Sequence, residues 1–530
     1  MKSIRSLTTT SALRGAALAG ALAMPGFAQA ESVNLISADG TVDIVGDFVD
    51  FVDNTYVIRT ALGELRLSAK RVRCEGDACP DVVDGGKVTA DVVLAGSETL
   101  GLGVMPLLLE GYAGVLDADM AATRDGTNLV AELVGDQGFG DELGSYLVQS
   151  SGSSAAFDSL IDSSASIGMA ARRILPAEAR ALRDAGAGNM IDPTQEHIVA
   201  VDSIVVVVNP ENGIDTLTMA QIGQIYAGQI TNWSQVGGRD VPITVIGHPQ
   251  DTSAADVFYN AVMGDQANWR FTPDLIVAED NNNAAALVNQ NPGAIGFVGY
   301  AFQRGAKAIS LVNACGLTMS PNAFNARTEE YALQRRMYLY NREDVAPDAK
   351  AFLDFIKSSD ADALIRKAGF IDLGVASQEQ PLDGDRARSL LDPNADAYEG
   401  NVMREMLGTM IDYERLSTTF RFRTGSSKLD ERGAVDMERL IAHLQRVPEG
   451  SKVMLVGFTD DVGAFDSIRQ LSEERAAQVL EDLRTRAGER LAGVELTHRG
   501  FGEVAPTACN QEDRGRAINR RVEVWIQAAR

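Results

Sequence analysis

The run 453–486, VMLVGFTDDVGAFDSIRQLSEERAAQVLEDLRTR, constrains the fold more than any other part of the chain. Val453 and Leu455 alternate with Met454 and Val456, and all four are apolar, so the segment reads as a buried strand that stops at Gly457. A loop carries Thr459 and Asp460, and a helix is expected to open at Ser472, a good N-cap with Glu473 and Glu474 set against the positive helix end. Leu471, Val479, Leu480 and Leu483 form its inward stripe. With Asp460 ending the strand and Arg475 in the first helical turn, the two side chains face one pocket. Such a pair suits a ligand carrying an ammonium and a carboxylate on one carbon, because Arg presents a planar fork to a carboxylate and Asp accepts from an ammonium. The same spacing also fits a surface ion pair worth about 0–1 kcal/mol.

With 530 residues and 45% hydrophobic content, the chain is too long for one core and is expected to divide into about three or four domains. Residues 413–530 hold 19 Lys+Arg and 19 Asp+Glu, so the whole net charge of −25 lies upstream. An acidic body of this kind argues against nucleic acid or an anionic membrane as partner and is read as serving solubility. Lys2 and Arg5, the apolar stretch 16–24 and Ala28-Gln29-Ala30 read as a secretory signal over 1–30, with the mature chain starting at Glu31. The apolar stretch is too short to span a membrane, and no Cys stands at the cleavage point to carry lipid. Four cysteines fit an oxidising compartment. Cys74 and Cys79 are spaced to close a small loop, whereas Cys315 and Cys509 are open between an interdomain bridge and two buried thiols. No CxxC pair and only four His argue against a zinc site.

In chain order, 31–82 reads as a small β module, in which Asp39-Gly40, Asp53-Asn54 and Leu62-Gly63 punctuate alternating runs. From 83 to 375 apolar strands alternate with amphipathic helices, the pattern of an α/β domain. Strands are expected at 92–95, 203–208 and 243–246, and helices follow Gly96-Ser97-Glu98-Thr99 and Asp251-Thr252-Ser253. Hydroxyls and backbone N–H groups at these helix starts are a means of holding an oxyanion, although Ser and Thr there also serve as plain N-caps. Residues 376–412 read as a linker and lead-in helix before a last domain over 413–530.

Two resemblances sharpen this reading. GFTDDVG, LSEERA, RGFGEVAPTACN and GRAINRRVEVW, in that order, resemble the C-terminal domain of the OmpA-like family, which binds peptidoglycan non-covalently. The resemblance implies that Asp460 and Arg475 grip the diaminopimelate of the peptide stem, with Thr459 and Arg520 in support. Phe458 and Ile468 depart from the family's usual His and Asn. LAGSETLG, SSGSSAAFDSL, the long run 201–243 and NPGAIGFVGYAF resemble the PstS-like phosphate-binding periplasmic proteins of ABC importers. That resemblance implies two α/β lobes with phosphate or another small anion between them, held by Ser97, Thr99, Ser153, His248, Thr252 and Ser253. It also brings an ABC importer into view as a partner. His248 stands where the family has an Arg, Ala254 interrupts its Ser-Gly-Thr, and no Asp is evident at Ala170-Ala171-Arg172. A fixed cation is thus not obvious at the expected site, and phosphate binding weaker than a dedicated carrier's is the expectation.

The expected architecture is multidomain α/β: a small N-terminal β module, a two-lobed periplasmic-binding-protein-like α/β domain and a C-terminal OmpA-like α+β domain. The expected role is a solute-binding-type protein of the periplasm, fixed to the cell wall or outer membrane through peptidoglycan. Its rival is a wall-associated interaction protein whose binding domain has lost its small ligand. Neither a GxSxG elbow nor a histidine in a catalytic context is present, so an enzyme is not expected, and no cofactor is implied.

Overall fold

The computed structural model describes residues 32–37, 43–52, 55–61, 63–69, 72–80, 90–135, 142–249, 252–263, 270–379, 397–422, 429 and 433–529. The expected signal segment and residues 380–396 of the expected linker lie outside them. The chain divides into two compact units, Met1–Lys87 with Gln137–Asp141, and Val88–Asp136 with Glu142–Arg530. In the first unit, alternation in Ser32–Ser37 turns Val33 and Leu35 inward beside Tyr56, Ile58 and Val72. That strand lies between Asp43–Val52 and Val72–Glu75 in a five-stranded antiparallel sheet, and Cys74 is bridged to Cys79.

In the second unit, one eleven-stranded sheet runs through two lobes. The first lobe packs Leu94, Leu108, Leu109, Val148 and Phe352 into its core, and the second packs Val206, Tyr226, Trp233, Phe258 and Phe297 into another. Two long strands, Glu196–Val208 and Gln334–Asn341, pair antiparallel and pass from one lobe to the other. The near-continuous Val and Ile content of the first follows from burial on both faces, and Met337, Tyr338, Leu339 and Tyr340 fill the same role in the second.

The C-terminal part is a five-stranded sheet covered on both sides. Lys452–Phe458 lies between Glu495–Gly500, which runs parallel to it, and Arg521–Gln527, which runs antiparallel. Val453 and Leu455 face helices Gly433–Leu444 and Phe465–Ala487, while Met454, Val456 and Phe458 face helix Ala397–Met410. Ser377–Glu379, read from sequence as linker, pairs with Glu414–Arg421 as an edge strand of this sheet.

The same part is fastened to both lobes. Cys315 of the second lobe is bridged to Cys509. Arg415 meets Glu330 at 2.5 Å and Arg421 meets Glu329 at 2.7 Å, just before the crossover strand Gln334–Asn341, and Arg439 meets Asp362 of the first lobe at 3.3 Å. Among the described residues no helix is long and apolar enough to cross a membrane.

Candidate functional site

The interlobe cleft begins at Gly96, where strand Val92–Gly96 ends against Ile167–Ala170. Its φ is +133°, and a methyl group there would meet the Met169 carbonyl oxygen at 2.1 Å, so only glycine fits. That approach lets the Ser97 N–H donate to Met169 O at 2.8 Å and starts helix Glu98–Gly103. Ser97 is buried, and its Oγ has no hydrogen-bond partner among the described residues. Thr99, in the first turn, accepts from Arg335 Nη2 at 3.4 Å. Ser153 opens helix Ser153–Ile161, and its Oγ accepts from the Ala171 N–H at 3.0 Å.

Ala171, which Ser153 holds, also borders a separate cavity of ≈370 Å³, lined from the first lobe by Ala171 and Arg172 and from the second by Val257, Asn260 and Ala261 of helix Ser253–Val262. Arg335 also lines it. It is the fixed cation that the sequence reading failed to find. Asp202 and Arg335 are cross-strand partners on the two crossover strands, and Asp202 Oδ2 accepts from Arg335 Nη2 at 2.8 Å and Nε at 3.1 Å. Both side chains are buried, and the Tyr300 N–H fills the other Asp202 oxygen at 3.1 Å. The two residues stand 133 positions apart, beyond the reach of local spacing, yet a signal existed: Asp202 interrupts the apolar run AVDSIVVVV.

Other expected cleft residues have partners within their own lobe. His248 is buried and donates Nε2–H to Phe297 O at 2.9 Å; burial, opposed by that bond, holds its pKa below the ordinary histidine value. Thr252 caps helix Ser253–Val262 by accepting from the Ala255 N–H and donates to Pro249 O. Ser253 is the first residue of that helix, and its side chain lies outside the described residues.

In the C-terminal pocket the helix expected to open at Ser472 begins seven residues earlier, at Phe465. Ser472 is a mid-helix seat: its Oγ donates to Arg469 O at 2.6 Å and accepts from the Gly502 N–H at 2.9 Å. Methyl groups at Gly457 or Gly500 would meet Ser472 O at 1.9 Å or Glu473 N at 2.3 Å, so the helix rests directly on two strand ends. This docking buries Arg475 to 1% exposure, under the ring of Phe422 at 5.2 Å. The hydroxyl of the buried Thr459 has no hydrogen-bond partner among the described residues.

Asp460 Oδ2 accepts from Arg520 Nη1 at 2.6 Å, so its direct partner is Arg520, which the sequence reading gave a supporting place. Burial, with Arg520 adding to it, pulls the Arg475 guanidinium below its ordinary pKa, while Asp460 pulls the other way. Two guanidiniums, the Asp460 carboxylate and a buried hydroxyl thus gather in one pocket, with Glu503 close enough for Asp460 and Asp461 to add to the upward push that burial gives its pKa. Phe458, at the family's His position, lies buried beneath the Arg521 guanidinium, 4.3 Å from its ring centre. No group of three or more His, Cys, Asp or Glu that could hold a metal ion occurs among the described residues.

Among known families, the one described as PBP superfamily domain matches residues 91–360. The phosphate-binding protein PstS of Bacillus subtilis (strain 168) is 29% identical over 178 residues, 33% of this chain. The match spans 57% of that relative's length. Of solved structures, an ABC-type phosphate transport receptor from Vibrio cholerae aligns with 26% identity and a TM-score of 0.40, over 53% of this chain and 99% of the other. The C-terminal domain of Helicobacter pylori MotB aligns with 26% identity and a TM-score of 0.19, over 21% of this chain and 84% of the other.

Proposed function

The chain belongs to the PBP superfamily, and from that premise we propose that it is an extracytoplasmic anion-binding protein, with phosphate as its ligand, held at the cell wall by its C-terminal domain. The observation that carries the first half is Arg335, fixed by Asp202 and set against Thr99 at the cleft wall. A buried dianion needs a cation and several donors that are already in place, because ordering them at binding and leaving any unsatisfied both cost affinity. The bidentate hold of Asp202 supplies the fixed cation, the Ser97 hydroxyl is an unused buried donor, and Ser153 keeps its proton for a ligand while accepting from Ala171. Asp202 and Arg335 neutralise each other, so the remaining N–H groups and hydroxyls hold the anion by hydrogen bonds more than by net charge. The role is one of binding, without chemistry on the ligand, and an ABC importer is the partner that the PstS-like motifs imply.

The second half rests on Asp460, Arg475, Arg520 and Thr459, whose mixed charges fit a zwitterion such as the diaminopimelate of peptidoglycan. The ligand carboxylate would take a guanidinium fork, and its ammonium would share the carboxylate that Arg520 holds.

Calorimetry with orthophosphate tests the cleft. Binding is expected, and Thr99→Ala and Ser153→Ala should each weaken it by about 1–3 kcal/mol. No heat of binding with orthophosphate in the wild-type chain sinks the ligand-binding reading and leaves the interaction-protein alternative. Sedimentation with purified peptidoglycan tests the wall half separately.

A further inference from the structure

The C-terminal domain touches both lobes and the two crossover strands between them, and it does so unequally. Toward the second lobe it is fixed at several points: the Cys315–Cys509 bridge, the Arg415–Glu330 and Arg421–Glu329 pairs, and the bond from Arg514 Nη2 to Ala332 O at 3.2 Å. These partners flank Tyr331 and Leu333, which are buried in the second-lobe core. A covalent link with charge-assisted bonds around it leaves little freedom, so domain and lobe turn as one body. Toward the first lobe the hold is lighter. Arg439, on helix Gly433–Leu444, meets both Asp362 carboxylate oxygens through the single nitrogen Nη1, each at 3.3 Å. Asp362 stands in the first turn of helix Ser359–Lys367, whose Ala361 and Ile365 belong to the first-lobe core. Between these attachments the domain lies on the hinge itself, where Val201 and Arg336 of the crossover strands line a cavity of ≈40 Å³ together with Ser417, Thr419, Asp436 and Arg439.

Closure of two lobes around a ligand is a rotation about the strands that join them. A body fastened to one lobe and touching the other must shift its weaker contact when that rotation occurs. The ≈370 Å³ cavity lined from both lobes is space that closure takes up, so the Arg439–Asp362 pair belongs to an arrangement with the lobes apart. A contact made in one arrangement and lost in the other biases the equilibrium between them. We propose that the C-terminal domain braces the hinge, holding the lobes apart through Arg439 and Asp362 and thereby setting the anion affinity of the cleft. This rests on the anion reading of the cleft given above and adds its regulation. The coupling is reciprocal, so an anion that closes the lobes loosens the brace by the same factor.

The test uses the full chain with two readouts: energy transfer between fluorophores attached at the exposed Asp184 of the first lobe and Glu211 of the second, and calorimetry with orthophosphate. Without anion, Arg439→Ala should move the interlobe distances toward shorter values. With orthophosphate it should bind about fivefold tighter than wild type, the measure of one partly exposed ion pair. Asp362→Asn should do the same, and the double variant should add nothing, because the two residues act through one contact. Circular dichroism should stay unchanged in all three. Interlobe distances that do not move, or an orthophosphate affinity that is equal or weaker, overturn the brace and leave the anion reading intact. A wild type that binds no orthophosphate, with the distances moving as stated, overturns the anion reading and leaves the brace standing.

Discussion

The interlobe cleft and the C-terminal pocket each set a buried arginine beside an aspartate, but they hold it in opposite ways. In the cleft, Arg335 is clamped by two bonds to one oxygen of Asp202, both side chains lie on strands buried on both faces, and the two charges balance each other. In the C-terminal pocket, Asp460 stands on a loop, its carboxylate goes to Arg520, and Arg475 lies buried beside them. A balanced, stiff pair acts as scaffold as much as ligand contact, whereas a carboxylate on a loop, held by one partially buried arginine, can be lost at smaller cost to the fold. Removing the aspartate should therefore damage stability in the first case and binding in the second.

The largest effect separates the two regions physically. Cys315 and Cys509 close a loop of 194 residues, for which the chain-entropy account of cross-links gives about 5 kcal/mol. Replacing both by Ser should lower the denaturation midpoint strongly yet leave sedimentation with peptidoglycan unchanged. A parallel loss of wall binding would show that the C-terminal pocket depends on the lobes.

Asp202→Ala comes next, because it strands a buried guanidinium, at about 3–5 kcal/mol. Urea unfolding should register that loss, and a variant as stable as wild type would show that the pair is not the scaffold described here. Asp460→Ala, by contrast, should cost about 1 kcal/mol of stability but about 2–4 kcal/mol of peptidoglycan affinity, thirtyfold to several-hundredfold. Arg475→Lys should bind as poorly, for want of the planar fork. If both variants sediment with the wall as wild type does, the two regions do not differ as the geometry implies.

The smallest effect is a pH dependence confined to the lobes. His197, at the start of a crossover strand, is buried on Asn341 Oδ1 at 2.7 Å, and burial, with Lys357 adding to it, pushes its pKa down from 6.5 to about 4. The unfolded chain takes up that proton first, so stability falls with acid through the window from 6.5 to about 4. Between pH 7 and pH 5 the loss should be roughly 2 kcal/mol. It should shrink in His197→Phe. A melting temperature with the same pH slope in both proteins would assign the acid sensitivity elsewhere.

Local sequence was enough wherever the chain's own periodicity sets the structure. The alternation in 453–458 marked a strand covered on both faces, the glycine and hydroxyl runs marked the cleft helix starts, and spacing suggested that Asp460 and Arg475 face one another, whereas Thr459 and Arg520 entered only through the OmpA-like resemblance. A helix boundary failed where a strong N-cap signal at Ser472 competed with packing. Two glycine strand ends needed that serine as a seat, and Ile468, buried in the preceding turns, carried the helix back to Phe465. Tertiary structure alone decided which distant groups meet. The Asp202–Arg335 clamp, the Cys315–Cys509 bridge and the hydrogen bond from Arg514 to Ala332 O join residues 133, 194 and 182 positions apart. Their encounter depends on strand order and domain docking, which the summed burial of several cores selects and which no spacing within a single segment encodes.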